Sequence, residues 1–313
     1  MRVASRIAVA VSLLLVGTLA PGARAEDGVL QINQLCAAGP GCFAGDTAGF
    51  PVSIVASGSY RLTSNLIAPD ANTTLVSITG SGVSLDLNGF MIRGTSSYDG
   101  APTATCTNPG TGAGVNGTGG DVVVSNGHVI GTGSTGVNLG GPNSRVERVT
   151  VEGCCGNGIA IGIGSLAHES VVARNFLNGI IAGAASRVSA CIAFDNGASG
   201  VASFPGATRL VVDGCLAAEN GVDGISAGDR SLVRGSLSSS NHDDGIGMGI
   251  HGQVLESTTI SNVDRGITVL GSPGNATSTA VGLNVTNLSG GLDLSGGVVV
   301  GCNLVDGVNN CPP

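Results

Sequence analysis

The sequence predicts an all-β fold, a right-handed parallel β-helix in which short parallel strands wind into a single-stranded solenoid with a cap at each end. Two observations predict it. The dipeptide Gly-(Ile/Val) recurs at Gly136, Gly158, Gly179, Gly200, Gly224, Gly245 and Gly266, with Gly291-Leu292 as a last copy, at spacings of 22, 21, 21, 24, 21, 21 and 25 residues. A period of this size marks a solenoid. Four residues ahead of the later glycines stands an asparagine, at Asn175, Asn196, Asn220, Asn241, Asn262 and Asn287. Asparagines stacked at about 4.8 Å hydrogen-bond side chain to side chain, and they tolerate the left-handed backbone of a tight corner.

Taken in order, the chain opens with the three parts of a secretory signal over Met1–Ala25: charge at Arg2 and Arg6, an apolar run from Ile7 to Ala20, and small residues at Ala23 and Ala25. Residues 26–56 carry no repeat and are expected to cap the exposed end of the solenoid. Coils are expected over 57–300. They are interrupted at 95–120, where Pro102, Cys106 and Asn108-Pro109-Gly110 break the period and predict a long excursion from one turn, a device that shapes clefts. Residues 301–313 are expected to close the other end.

Within a coil, the column twelve residues ahead of the glycine reads Val124, Val146, Ala167, Val188, Val212, Val233, Val254 and Thr279, an inward aliphatic stack. Two neighbouring columns then compete for the interior. One is small, with Ser170, Cys191, Cys215, Ser236 and Ser257; the other is larger, with Val171, Ile192, Leu216, Leu237, Thr258 and Leu283. Hydrophobicity favours the second, and the tightness of a core turn suits the first equally well.

The formal charge of −8 falls to −11 once Arg2, Arg6 and Arg24 leave with the signal, and there is no lysine. Such a chain is not built for nucleic acid. The same field disfavours polyanionic glycans unless a cation screens them. With no Trp and two Tyr, flat stacking platforms are scarce. No segment after the signal is apolar enough to span a membrane, so the expected location is secreted, periplasmic or at the cell surface. The nine cysteines therefore belong to a compartment where disulfides form, and an odd number leaves at least one unpaired. Cys36 with Cys42 and Cys302 with Cys311 are placed to staple the two ends, although spacing alone does not fix pairing.

The repeat V-x-x-[SC]-x-x-x-x-N-x-x-x-G-[IV], together with Ser59-Tyr60-Arg61-Leu62 and Val83-Ser84-Leu85-Asp86-Leu87, resembles the bacterial right-handed β-helix repeats of the pectin-lyase-like superfamily over residues 50 to 300. The resemblance implies the fold. It leaves function open, because that superfamily includes lyases, hydrolases, epimerases, tailspikes and surface proteins.

The densest carboxylates lie at one turn: Asp223, His242-Asp243-Asp244 and Asp264-Arg265, on successive rungs. Paired carboxylates suit a hydrolase, one protonating the leaving oxygen and the other activating water, with His251 a corner away. Asp223, Asp243 and Asp244 could equally hold calcium or simply form a solvated turn. The Asn-Thr-Asp and Arg-Ile-Lys segments of polygalacturonases are missing. Arg174, Asp195 and Glu219 share another column, where alternating charge supports stacking by itself, as do Asp213 and Arg234. His128 and His168 carry no acidic or serine partner at a recurring offset. The expectation is a non-catalytic exported module that binds polysaccharide or another cell-surface glycan. The alternative is a polysaccharide lyase or glycoside hydrolase, in which the excursion would pack over Asp195 and Glu219 or over Asp223 and Asp244.

Overall fold

The computed structural model describes residues 28–100 and 105–270, and beyond them the backbone of strands between 278 and 310. The leader, Asn287 and the Cys302 and Cys311 positions lie outside the described residues. The chain forms a parallel solenoid whose coils each carry three short strands, stacked rung on rung into three ladders.

The first ladder aligns Leu85, Val124, Val146, Ala167, Val188, Val212, Val233 and Val254, with their side chains inside the coil. The second aligns Val129, Val151, Val172, Ala193, Ala217, Ser238 and Thr259. The third runs Val115, Val137, Ile159, Ile180, Val201, Ile225, Ile246, Ile267 and Leu292, which are the residues following the repeated glycines. Through Ile267 these columns are almost completely buried and form one continuous core. At the N-terminal end, Val29–Ile32 pairs with Gly58–Leu62, and the short helix Gln34–Ala38 follows, N-capped by Asn33 and stapled by the Cys36–Cys42 disulfide. Among the described residues no helix is long and apolar enough to cross a membrane.

Corners explain how the strands turn. From Asp121 to Ser261, every coil holds three residues in left-handed backbone, five residues apart, with φ between 48° and 67°; one such set is Gly164, Glu169 and Arg174. The residue after each corner points inward. At the third corner that residue is the asparagine, so the left-handed position belongs to Arg174, Asp195, Glu219, Ser240 and Ser261 and not to the asparagines themselves. At the second corner it is Ser170, Cys191, Cys215, Ser236 or Ser257, each buried, whereas Ile192 and Leu237 point outward and are 39% and 36% exposed. The small column therefore fills the core. The inward hydroxyl accepts the N–H of the preceding rung, as Ser165 does from Ser144 at 3.0 Å and Ser236 from Cys215 at 3.2 Å.

The asparagine ladder is continuous from Asn175 to Asn262, all fully buried or nearly so. From Asn196 on, each Oδ1 accepts both the backbone N–H and the Nδ2 of the rung before it, as Asn220 does from Asn196 at 3.2 and 3.0 Å, whereas Asn175 Oδ1 accepts the Cys154 N–H at 3.1 Å. Each Nδ2 also donates to a strand carbonyl one coil back, for instance Asn220 to Ala193 at 3.2 Å.

Two register details depart from simple counting. Ala280, not Thr279, stands opposite Val254, and Asn284, not Leu283, stands opposite Thr258. Compared with a 21-residue coil, the 25-residue coil has five more residues before the first ladder and one fewer after it. In the 24-residue coil, the link between the third strand and the next corner is Phe204–Thr208, where its neighbours have two residues such as Gly183-Ala184 and Gly228-Asp229. That link makes its own turn, with Ala207 N–H donating to Phe204 O at 2.9 Å.

Candidate functional site

The excursion after Arg93 folds back along the third-corner edge of the solenoid. Ser97 and Thr107 exchange backbone hydrogen bonds at 3.2 and 2.8 Å, the Ser96 hydroxyl donates to Asn108 O at 2.6 Å, and a Cys106–Cys155 disulfide ties the returning chain to the coil two rungs along. Tyr98 is thereby buried, its ring edge-on to Phe176 at 5.5 Å between centroids. Burial, and secondarily the charge of Asp195, push its phenol above the ordinary range. Gly100 lies directly against the Asp195 carboxylate, with no room for a side chain.

Between this strap and the coils opens a polar cleft of about 420 Å³, lined by Arg93, Tyr98, Asp99, Glu152 and Arg174 among others. Glu152 and Arg174 form an ion pair at 2.7 Å, and Arg174 lies 5.8 Å from the Phe194 ring centre. Arg174, Asp195 and Glu219 do stack as one column, but Arg174 pairs with Glu152, in the strand edge beside it. The excursion closes over Arg174 and Asp195, away from Asp223 and Asp244.

The acidic turn is arranged differently from the grouping read in the sequence. Asp223 occupies the column that Asn157 and Asn178 hold in earlier coils, and does the same work: its Oδ1 accepts Asp244 N–H at 3.3 Å, as Asn157 Oδ1 accepts Asn178 N–H at 3.1 Å. Asp244 in turn accepts Arg265 N–H at 3.2 Å. The carboxylates that converge, with ligand atoms within 4.8 Å, are Asp243, Asp244 and Asp264, not Asp223. Burial and the charges of Asp244 and Asp264 push the Asp243 carboxyl up. His251 is removed from this turn by the strand Ile246–Met248, and occupies the left-handed first corner of the following coil. Asp213 accepts from Arg234 at 2.6 Å and pairs with Arg187, and the Arg234 hydrogen bond holds its carboxyl below the usual range.

Residues 135–281 match the family model described as the right handed beta helix region. A crystal structure of pectate lyase Pel9A superposes with a TM-score of 0.60 at 14% identity, covering 86% of this chain and 78% of that one. The chain is a right-handed β-helix protein of the pectin-lyase-like fold. The mannuronan C-5 epimerase AlgE4 A-module of Azotobacter vinelandii is a more distant match, with a TM-score of 0.47 and 15% identity over 88% of this chain and 89% of that one. No curated protein matches the sequence.

The β-helix also corrects the reading of His168. Its Nδ1 lies 3.0 Å from Ser189 Oγ on the next rung and its Nε2 3.4 Å from Glu169. The offset to Ser189 is one coil, 21 residues, so the coil period itself was the signal. The trio stands on the outer face of the first ladder, outside the cleft, beside the Asp213 and Arg234 charges. It extends a polar column along that face. His128 is exposed.

Asp223 gives this β-helix a pH dependence. Burial, reinforced by Asp244 and Asp243 and opposed by a Ser226 hydrogen bond, raises its carboxyl to about 6. Between roughly pH 4 and 6 the folded chain holds a proton that the unfolded chain, with an ordinary Asp near 3.9, has released. Stability therefore falls as pH rises through that window. Asp223→Asn keeps the turn acceptor, as Asn157 and Asn178 do, and removes the charge. It is expected to stabilise the protein by about 1–3 kcal/mol at pH 7 and to flatten the urea midpoint between pH 4 and 7. An unchanged slope in the variant would refute this assignment.

Proposed function

We propose that this is an exported, non-catalytic glycan-binding β-helix, which holds a saccharide segment in the cleft beneath the excursion. The observation that carries the reading is the strap itself: a disulfide-anchored segment roofs a polar cleft on a rigid solenoid, presenting Arg93, Asp99 and the Glu152–Arg174 pair toward its opening. Guanidinium and carboxylate groups suit the hydroxyls of a sugar chain, and the Glu152–Arg174 ion pair holds two of them in place, which lowers the cost of ordering them on binding. The fold shared with a pectate lyase supports a saccharide over other ligands. The carboxylates at the acidic turn support binding rather than cleavage, because Asp223 and Asp244 are engaged by backbone N–H groups of the turn. The expected location is secreted, periplasmic or cell-surface, with no nucleic-acid partner.

One observation favours the alternative, a polysaccharide lyase or glycoside hydrolase: the excursion covers Asp195, one of the two places where such an enzyme would have its cleft. The mature protein should be screened against neutral and acidic polysaccharides, with and without calcium, following both retention and release of new chain ends. Saturable retention without new ends, weakened about tenfold or more by Arg93→Ala or Asp99→Asn, is the expected result. Reproducible cleavage lost in Glu152→Gln or Asp244→Ala would overturn the non-catalytic reading.

A further inference from the structure

Three cysteine thiols are free and buried among the described residues: Cys154, Cys191 and Cys215. Two of them meet. Cys191 and Cys215 occupy the same inward column on neighbouring rungs, because Ile192 pairs with Leu216 and Leu216 N–H donates to Cys191 O at 2.9 Å. Both side chains are within the core, at 1% and 2% exposure. The Cys215 thiol also leans onto the rung below, with Sγ 3.6 Å from Val188 O. Parallel rungs lie about 4.8 Å apart, within the range of roughly 4.4–6.8 Å that bridged Cα atoms span.

We infer that Cys191 and Cys215 are a cystine site, oxidised to an inter-rung disulfide when the chain folds in a compartment that supplies disulfides. The step balances as an exchange: one thiolate attacks a protein or small-molecule disulfide donor and expels one donor thiol. The second cysteine then displaces the other donor half, giving the Cys191–Cys215 bond and two reduced donor thiols in all. Both sulfurs are shut off from solvent in the closed coil. The exchange therefore belongs to the folding chain, before the rungs close. Serine occupies this column at Ser170, Ser236 and Ser257, so the fold does not itself demand sulfur at 191 and 215.

Arg187, Arg209 and Arg230 place the two cysteines on separate tryptic peptides. The full chain should be exported into an oxidising compartment, denatured in alkylating agent without reductant, and mapped. A linked pair of peptides carrying Cys191 and Cys215, two hydrogens lighter than the sum of the free thiols, is the expected result. Alkylation of both residues, or linkage of either to Cys154, overturns the inference. The Cys191→Ser, Cys215→Ser double variant supplies a second measurement. It should fold, and should be proteolysed about tenfold faster than the exported protein while matching the reductant-free chain made in a reducing cytosol with its other cystines re-formed. Equal proteolysis of exported protein and double variant would also overturn it.

Discussion

Asn220→Ala will destabilise the β-helix by about 4 kcal/mol, although it deletes only one small polar side chain. The amide is fully buried and makes four hydrogen bonds: its oxygen accepts Asn196 N and Nδ2 at 3.2 and 3.0 Å, and its Nδ2 donates to Ala193 O at 3.2 Å and Asn241 Oδ1 at 2.9 Å. Alanine would leave those partners inside the coil without water, and each stranded buried group costs about 1–3 kcal/mol. Solenoids open locally, so amide exchange across the rungs of Asn196, Asn220 and Asn241 is the sharper measurement. Exchange accelerated no more than fivefold at those rungs would mean that the ladder is decorative.

The repeated glycine carries the second large effect, for a reason unrelated to left-handed backbone. A Cβ on Gly200 would sit 2.7 Å from Asn220 Nδ2, 2.8 Å from Gly224 O and 3.1 Å from Ala217 Cβ. Two of those neighbours are the ladder amide and the backbone of the next rung, neither free to move. Gly200→Ala is therefore expected to cost about 3 kcal/mol, toward the upper end for overpacking a core, and to appear as a lower thermal midpoint with reduced soluble yield. Ala at this position with a wild-type midpoint would show that the rungs separate more easily than their packing indicates.

These two columns were the most legible part of the sequence, because glycine and asparagine answer to constraints that repeat in every coil. The inward face of the second strand was not legible, because alternation restarts at each left-handed corner. Val188 points in and Ser189 out, Ala190 turns, and then Cys191 points in and Ile192 out. A period of two read straight through the corner puts Ile192 inside. The corner's own position was misplaced by one residue for a related reason: asparagine tolerates that backbone, but here its inward hydrogen bonds fix it just after the turn.

For the site, the excursion was visible from its broken period, and its place over Asp195 was among the alternatives. What lay beyond the sequence was the Cys106–Cys155 bond that sets where the strap lands, and the Glu152–Arg174 pair, whose partners stand in adjacent columns rather than in one. At the acidic turn, Asp223 and Asp244 accept backbone N–H groups from positions where asparagine does so in earlier coils, a role that charge and density alone did not show.

The five-residue link Phe204–Thr208 has a use beyond the native molecule. The rungs on either side remain in register although this link is longer than its counterparts, so the solenoid accepts added length here without transmitting it. A foreign epitope spliced between Pro205 and Gly206 should be carried on a stiff rod at a known height above the strap. Repeating the splice at the equivalent links of other coils would turn the protein into a molecular ruler, with graduations set by the backbone spacing of its own layers.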